Sequence, residues 1–391
     1  VFLINVEQNM FLHIVHDEKF IDAAYRIFEE ASPGENAFIL FSEKKPLRYI
    51  KKTPIQFVGR FAFLNRNFLN SLKNYEAIFF HFLTEQDMQL LARADKSVKF
   101  VWIGWGADYY DLIVGDRTKL FKQKTLAFYG TQLIDDQKQT MKSKLKKIIK
   151  PLIYKNIDKR DIVNRISYFA PVIDEDYLLL QQALPDFRPA YLSWNYGTLE
   201  DDMLKGFGGS MVGGNNILVG NSASYENNHL DVFAILSNVH LGFRKVLCPL
   251  SYGDQQYGEA VVKEGEKIFG NNFVPIRNFM PIKEYVSLVS SCSSVLMGHL
   301  RQQAVGNIII MMYLGAKIFL DKRNPVYNFF NKKCAIIFNL DDFNAETLNK
   351  ELTLEEIETN RQILKNHWSR DIILEKTKTL IASAKGLRDE T

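Results

Sequence analysis

Between Gly298 and Pro325 the chain reads as polar loop, apolar helix, glycine stop, short apolar strand and polar turn, and this succession constrains it to an α/β fold. Arg301-Gln302-Gln303 open the segment, Gly306 gives a small-residue point, and Ile308 to Leu314 are wholly apolar. Gly315 ends that run, Lys317 to Leu320 read as a buried strand, and Asp321 to Pro325 as a turn. In an open parallel sheet, helix N-termini and strand C-termini meet on one side, where ligands bind. Unpaired amides, the helix dipole and an arginine favour an anion there. The pattern predicts that Arg301 to Asn307 hold a diphosphate and that Asp321 to Asn324 touch what is attached to it. A plain buried helix satisfies the same pattern.

The alternation recurs along the chain. Phe11 to Val15, Ala37 to Phe41, Ile55 to Val58, Ala77 to Phe82 and Val98 to Ile103 are short apolar runs, most of them separated by helical stretches such as Phe20 to Ala31 and Glu85 to Ala94. Strands and helices of these lengths predict a parallel sheet wrapped by helices. At 391 residues, 47% of them hydrophobic, the chain can bury two such cores. Tyr168 to Ile173 and then Leu192 to Tyr196 lead towards a change in texture. The glycine-dense stretch from Gly206 to Asn216 reads as a linker or hinge. The pattern then restarts with Ile217 to Val219. The predicted domains are 1–210 and 217–370, followed by a final helix within 371–391.

A net charge of +4 is small for this length and does not by itself imply nucleic acid. Three cysteines without paired spacing point to buried thiols in a reducing compartment. Residues 1–9 read as an extension before the strand that follows Met10, and they lack the basic flank of a signal peptide. No span approaches the ~20 apolar residues of a membrane helix. Lys142 to Arg165 differ in character: apolar residues at helical spacing alternate with lysines that include Lys144, Lys147 and Lys150. Such a helix can lie in an anionic membrane interface, and it can equally pack on its own domain with a solvated basic face.

Three further stretches carry candidate chemistry. The strand ending at Ile103 runs into Gly104 to Tyr110, where two glycines allow a tight turn that presents Trp105, Gly106 and Asp108. Asp108 reads either as a base or sugar ligand beside aromatics, or as a helix cap. Gly220, Asn221 and Ser222 end a strand ahead of Asn227 and His229, which suits a phosphate. Ser251 and Tyr252 follow the strand Lys245 to Pro249. The sequence contains no H-E-x-x-H, C-x-x-C, Walker lysine or G-x-S-x-G, and His13 and His16 form at most a thin pair. A bound diphosphate would therefore be neutralised by backbone amides, a helix dipole and Arg301, without a metal or other cofactor.

These stretches together resemble the N-acetylfucosamine-type (4-acetamido-4,6-dideoxygalactose) transferases of bacterial surface-polysaccharide synthesis. The likeness rests on W-G-A-D-x-Y (Trp105 to Tyr110), L-V-G-N-S (Leu218 to Ser222), the later Asn227 and His229, and P-x-x-Y (Pro249 to Tyr252). It continues in R-Q-Q-x-x-G (Arg301 to Gly306) and Asn324-Pro325. The resemblance implies a GT-B fold, two Rossmann-like domains facing a central cleft, with the sugar nucleotide on the C-terminal domain. It implies a metal-independent hexosyltransferase, a thymidine-diphosphate sugar donor, a polyprenyl-diphosphate-linked saccharide acceptor, and peripheral attachment to the cytoplasmic face of the bacterial inner membrane. The final helix would cross back to the first domain. Asp108 and Arg301 then become the catalytic candidates. Trp105, Gly106, Gly220, Asn221, Ser222, Asn227, His229, Ser251, Tyr252, Gln302, Gln303, Gly306, Asn307, Asp321 and Asn324 become substrate contacts. The first 95 residues match loosely, with His81 the best candidate, and Ala223 to Glu226 replace a more charged loop. A nucleotide-sugar epimerase and a non-catalytic membrane-surface protein remain as alternatives.

Overall fold

The computed structural model describes residues 10–135 and 154–386. They form two compact units, the first built from 10–115, 154–198 and 370–386, the second from 116–135 and 199–369. Lys144, Lys147 and Lys150 lie outside the described residues. Among those described, no helix is long and apolar enough to cross a membrane.

The first unit carries a seven-stranded parallel sheet: β1 (Phe11–Ile14), β2 (Asn36–Phe41), β3 (Ile55–Val58), β4 (Ala77–His81), β5 (Phe100–Ile103), β6 (Tyr168–Ala170) and β7 (Ala190–Tyr191). Their order across the sheet is β3-β2-β1-β4-β5-β6-β7. Burial explains it. β1, β4 and β5 are buried throughout and take the centre, whereas β3 is half-buried and β7 exposed, as edge strands are. The chain runs from β1 outward to β3 and then returns to β4, so its direction of travel reverses between β1 and β4.

The helix Arg370–Lys385 belongs to this unit and lies beside the helix Ile21–Ala31. Its Leu380, Ile381 and Ala384 enter one core with Phe11, Phe28, Phe79 and Trp194. Trp194 Nε1 donates to Thr377 Oγ1 at 2.8 Å, and Lys99 Nζ donates to the carbonyls of Ala384 and Lys385, capping the helix end. β7 stops at Tyr191, and Trp194 leaves the sheet line to reach Thr377.

The second unit has six parallel strands: β8 (Asn216–Val219), β9 (Val246–Pro249), β10 (Phe273–Ile276), β11 (Cys292–Met297), β12 (Lys317–Leu320) and β13 (Phe338–Asn339). The order is β10-β9-β8-β11-β12-β13, and here the reversal falls between β8 and β11. The helix Val305–Tyr313, apolar in sequence, is buried against this sheet.

Two expectations about organisation change. Residues 116–135, expected in the first domain, belong to the second unit. Asn228 accepts the Lys122 amide at 2.7 Å, and the Asp231 carboxylate accepts those of Lys124 and Thr125, which seats the helix Gln123–Asp135 beside His229–Leu236. The glycine-rich stretch is also no free linker. The Val212 amide donates to Leu314 and that of Gly213 to Ser290, while Met203, Phe207 and Val212 pack on Val286, Ile310 and Leu314.

Candidate functional site

The reversal point of the second sheet brings together the loops after β8 and β11, where ligands bind in open α/β sheets. Gly220 follows β8 at φ +68°, and a Cβ there would fall 2.4 Å from His229 Nε2. Gly298 follows β11, where a Cβ would meet the Asn227 carbonyl at 2.6 Å. Both positions need glycine because the Asn227 to His229 turn passes so close. That turn is held by Asn228, a non-glycine residue in the left-handed region at φ +52°. Its amide donates to the carbonyls of Leu120, Glu226 and Gly298, which fixes a conformation that would otherwise be strained.

Asn227 is the hub. Its Oδ1 accepts from the Asn221 amide at 2.9 Å and faces His299 Nε2 at 2.8 Å, so that nitrogen carries the proton. Its Nδ2 donates to the Ser222 carbonyl and to the hydroxyls of Ser222 and Ser224. Gln303 Nε2 donates to Asn221 Oδ1 at 3.0 Å and Ser224 Oγ at 3.2 Å, tying the loop after β11 to the loop after β8. Asn221 Nδ2 donates to the hydroxyl of Tyr252, whose ring is half exposed. Ser251 precedes it at the end of β9, partly exposed.

Several buried polar atoms in this cluster find no partner among the described residues: Gln303 Oε1, His299 Nδ1, His229 Nε2 and Glu226 Oε2. With Nε2 of His299 protonated, its Nδ1 is an acceptor, as are the Gln303 and Glu226 oxygens. Buried groups left without partners are costly, so these atoms are the ones that donors of a bound molecule or of water would satisfy. Burial brings the pKa of His229 down to about 3. Burial, with Arg301 and His229 nearby, pushes that of His299 well below the usual value. Both rings are neutral at physiological pH.

Positive charge borders the acceptors. Arg301 sits partly exposed in the loop after β11, its guanidinium donating to the Gln302 carbonyl. Gln302 itself is buried. Burial alone would raise the Glu226 carboxyl, but the Arg117 guanidinium at 2.5 Å and the field of Arg301 hold it below the ordinary range. Ala304, at φ +59°, turns the chain into the helix Val305–Tyr313, whose N-terminus has no side-chain cap. In its first turn Gly306 is exposed, with open space where a Cβ would stand, and Asn307 is partly exposed. Uncapped amides and a cation suit an anion, and the acceptors suit hydroxyls and ring N–H groups.

Asp321 and Asn324 do not join this surface. Asp321 is buried against Lys122 Nζ at 2.7 Å and a two-pronged Arg323, which together outweigh burial and keep its carboxyl far below the usual range. Asn324, fully buried, caps the helix Pro325–Lys332 through Val326 and donates to the His299 carbonyl. Their hydrogen bonds to Arg323, Val326 and the His299 carbonyl hold the loops.

In the first unit, Asp108 is buried, and its carboxylate accepts from the Leu83 amide, Trp102 Nε1 at 2.7 Å and the Trp105 amide at 2.8 Å. Burial raises its pKa and the three N–H donors pull the other way. A carboxylate so engaged organises the turn of Trp105 and Gly106, the latter at φ +97°, and is not placed as a free base. His81 lies fully buried in a chain from Asn36 through His13 (3.0 Å to His81) to the Tyr196 hydroxyl (2.6 Å), neutral because burial depresses both rings. It is part of the core. A different histidine, His16, stands at the C-terminal end of β1 facing Asp87. The sequence signals for it are a histidine at a strand end and the Thr84–Asp87 capping box after β4.

Comparison with known proteins agrees with the architecture. Residues 209–366 match the sequence profile of the family described as 4-alpha-L-fucosyltransferase, glycosyl transferase group 56. Anabaena HepE in complex with UDP and glucose is similar in fold at a TM-score of 0.61 and 10% identity, with 96% of this chain and 100% of that one covered. An E. coli trehalose-6-phosphate protein bound with UDP-2-fluoro glucose gives 0.62 and 11%, covering 96% and 99%. A glycosyltransferase from Rickettsia africae gives 0.58 and 12%, covering 96% and 98%. The fold is GT-B.

Proposed function

We propose that this chain, a glycosyltransferase of GT-B fold, moves a deoxy-amino sugar of the N-acetylfucosamine type from a thymidine-diphosphate donor to a lipid-linked saccharide. The observation that carries the donor site is the cluster of buried acceptors beside Arg301 and an uncapped helix N-terminus. In this reading the diphosphate lies toward Arg301, Gly306 and Asn307, where backbone amides and the guanidinium stabilise charge as the anomeric bond breaks. Gln303 and His299 accept hydroxyl or ring N–H groups of the nucleoside and sugar, His229 stands beside them, and Tyr252 borders the base. Support for a deoxy sugar comes from the fucosyltransferase description of the matched profile and from the motif likeness across Trp105 to Pro325. The solved relatives bound to UDP sugars support a nucleotide-sugar donor in general.

A lipid-linked acceptor and a peripheral seat on the cytoplasmic face of the inner membrane complete the proposal. They are supported by the sequence likeness and by the cationic, apolar composition of residues 142–165. Catalysis follows without a metal in this reading, because the departing diphosphate has cationic and amide partners.

A thermal-shift series with thymidine, uridine and guanosine diphosphates tests the donor site. The expected result is the largest stabilisation with thymidine diphosphate, and no added effect of Mg²⁺. No shift with any of the three would sink the donor assignment. Transfer of labelled sugar to an extracted polyprenyl-diphosphate saccharide, but not to free water-soluble sugars, is expected for the acceptor.

A further inference from the structure

One side chain gathers three charged groups within the second unit. Asn228 Nδ2 donates to the carbonyls of Leu120, Glu226 and Gly298, and Asn228 Oδ1 accepts the Lys122 amide. Arg117 stands three residues before Leu120, and Arg301 three residues after Gly298. Glu226 is only 4% exposed; its Oε1 takes the Arg117 guanidinium, and its Oε2 has no hydrogen-bond partner among the described residues. The rings of Phe121 and Tyr129 pack on Tyr225 at 5.6 and 5.1 Å, so the segment that carries Arg117 is seated on the loop that carries Glu226. Glu226 lies in the stretch Ala223 to Glu226 where the motif likeness lapses, so that likeness assigns it no role.

We propose that Arg117 is a positioning residue of the donor site: it neutralises Glu226, which would otherwise draw Arg301 away from a bound diphosphate. The inference rests on the donor reading given above. A buried carboxylate that loses its partner is costly, and a cation within its field is drawn to it. Arg301 is such a cation, partly exposed on its loop and already acting on Glu226 through its field. Arg117 therefore acts at one remove, through Glu226, on the group that meets the ligand.

Net charge decides the sign of the effect. Burial raises the Glu226 carboxyl, but the Arg117 hydrogen bond and the Arg301 field hold it below the ordinary range, so it is ionised at neutral pH. Arg117, Glu226 and Arg301 together then carry one net positive charge. Removing Arg117 leaves none, neutralising Glu226 leaves two, and doing both returns the set to one. A diphosphate responds to that net charge because it arrives as an anion. A pair that merely held the loop in shape would behave otherwise: loss of either partner would weaken the site, and loss of both would not restore it.

The test measures thymidine-diphosphate affinity, by thermal-shift titration, for the parent, Arg117→Ala, Glu226→Gln and the double variant. The Arg117 side chain is 65% exposed, so its removal opens no cavity, and urea midpoints report whether each variant is folded. Arg117→Ala is expected to weaken the nucleotide about tenfold. Glu226→Gln is expected to bind at least as tightly as the parent, and the double variant to return to within about threefold of it. An Arg117→Ala variant that binds like the parent overturns the inference, as does a double variant no tighter than Arg117→Ala. If Arg117→Ala fails to fold, Glu226→Gln decides alone: equal or tighter binding supports the inference and weaker binding overturns it. A parent that shows no nucleotide shift overturns the donor reading itself, and this inference with it.

Discussion

The two sheets place their reversal points alike and furnish them differently. After β8 and β11 the second unit gathers amides, neutral histidines and unpaired acceptors around Asn227, with Arg301 alongside. After β1 and β4 the first unit sets one histidine, held chargeable by carboxylates, among aromatic rings. One reversal point carries histidines that burial keeps neutral, and the other a histidine whose charged form the carboxylates favour. A shared topology thus specifies where a ligand goes, and the local side chains decide what is done to it.

Acid gives the largest expected effect and asks whether the histidines differ as described. His13, His81, His229 and His299 all have depressed pKa values in the folded chain. The unfolded chain takes up their protons from about pH 6.5 downward, so stability is lost as pH falls below that point, at up to about 1.4 kcal/mol per pH unit for each ring. His16 has the opposite sign: its contribution is present below pH 6.5 and is lost as pH rises through its raised pKa. Urea titrations between pH 5 and 8 should show midpoints dropping steeply on the acid side. A flat profile would break the view that the four rings are buried neutral.

Gly220→Val comes next. Its side chain would collide with His229, and valine resists φ +68°, so about 3 kcal/mol or more of stability should go, read by urea unfolding. A variant as stable as the parent would mean that the turn over Asn227 is looser than the hydrogen bonds imply. Arg301→Ala should weaken thymidine diphosphate roughly tenfold, worth about 1.4 kcal/mol, as read by a smaller thermal shift at the same nucleotide concentration. A variant that binds the nucleotide as tightly as the parent would remove the guanidinium from the anion-binding side of the comparison. The smallest effect belongs to Asn324→Ala. Removing the helix cap should cost about 1 kcal/mol in unfolding, with nucleotide affinity unchanged.

The fold was legible because buried parallel strands announce themselves as apolar runs, and the runs at Phe11, Ala77, Ile217 and Lys317 became β1, β4, β8 and β12. Strand-end loops were legible for the same reason. The fate of individual carboxylates was not. Asp108 and Asp321 stand at strand ends as ligand-binding acids do, but the Trp102 indole, the Leu83 amide and the Lys122 ammonium already engage them. Those partners are fixed by tertiary structure, which spacing does not encode. His16 and Asp87 stand 71 positions apart, so only the β1–β4 pairing reveals them as neighbours. Residues 116–135 changed unit because Asn228 and Asp231 accept their backbone amides, a contact more than 100 positions long.

The helix Arg370–Lys385 also sets an order in time. The first unit's core contains Leu380, Ile381 and Ala384, yet all of the second unit's strands lie between β7 and that helix along the chain. A ribosome therefore delivers everything the second unit needs before it delivers the last piece of the first. The unit begun earliest is completed last, and until then the apolar ground beside Phe11, Phe28 and Trp194 stays open to water or to a chaperone.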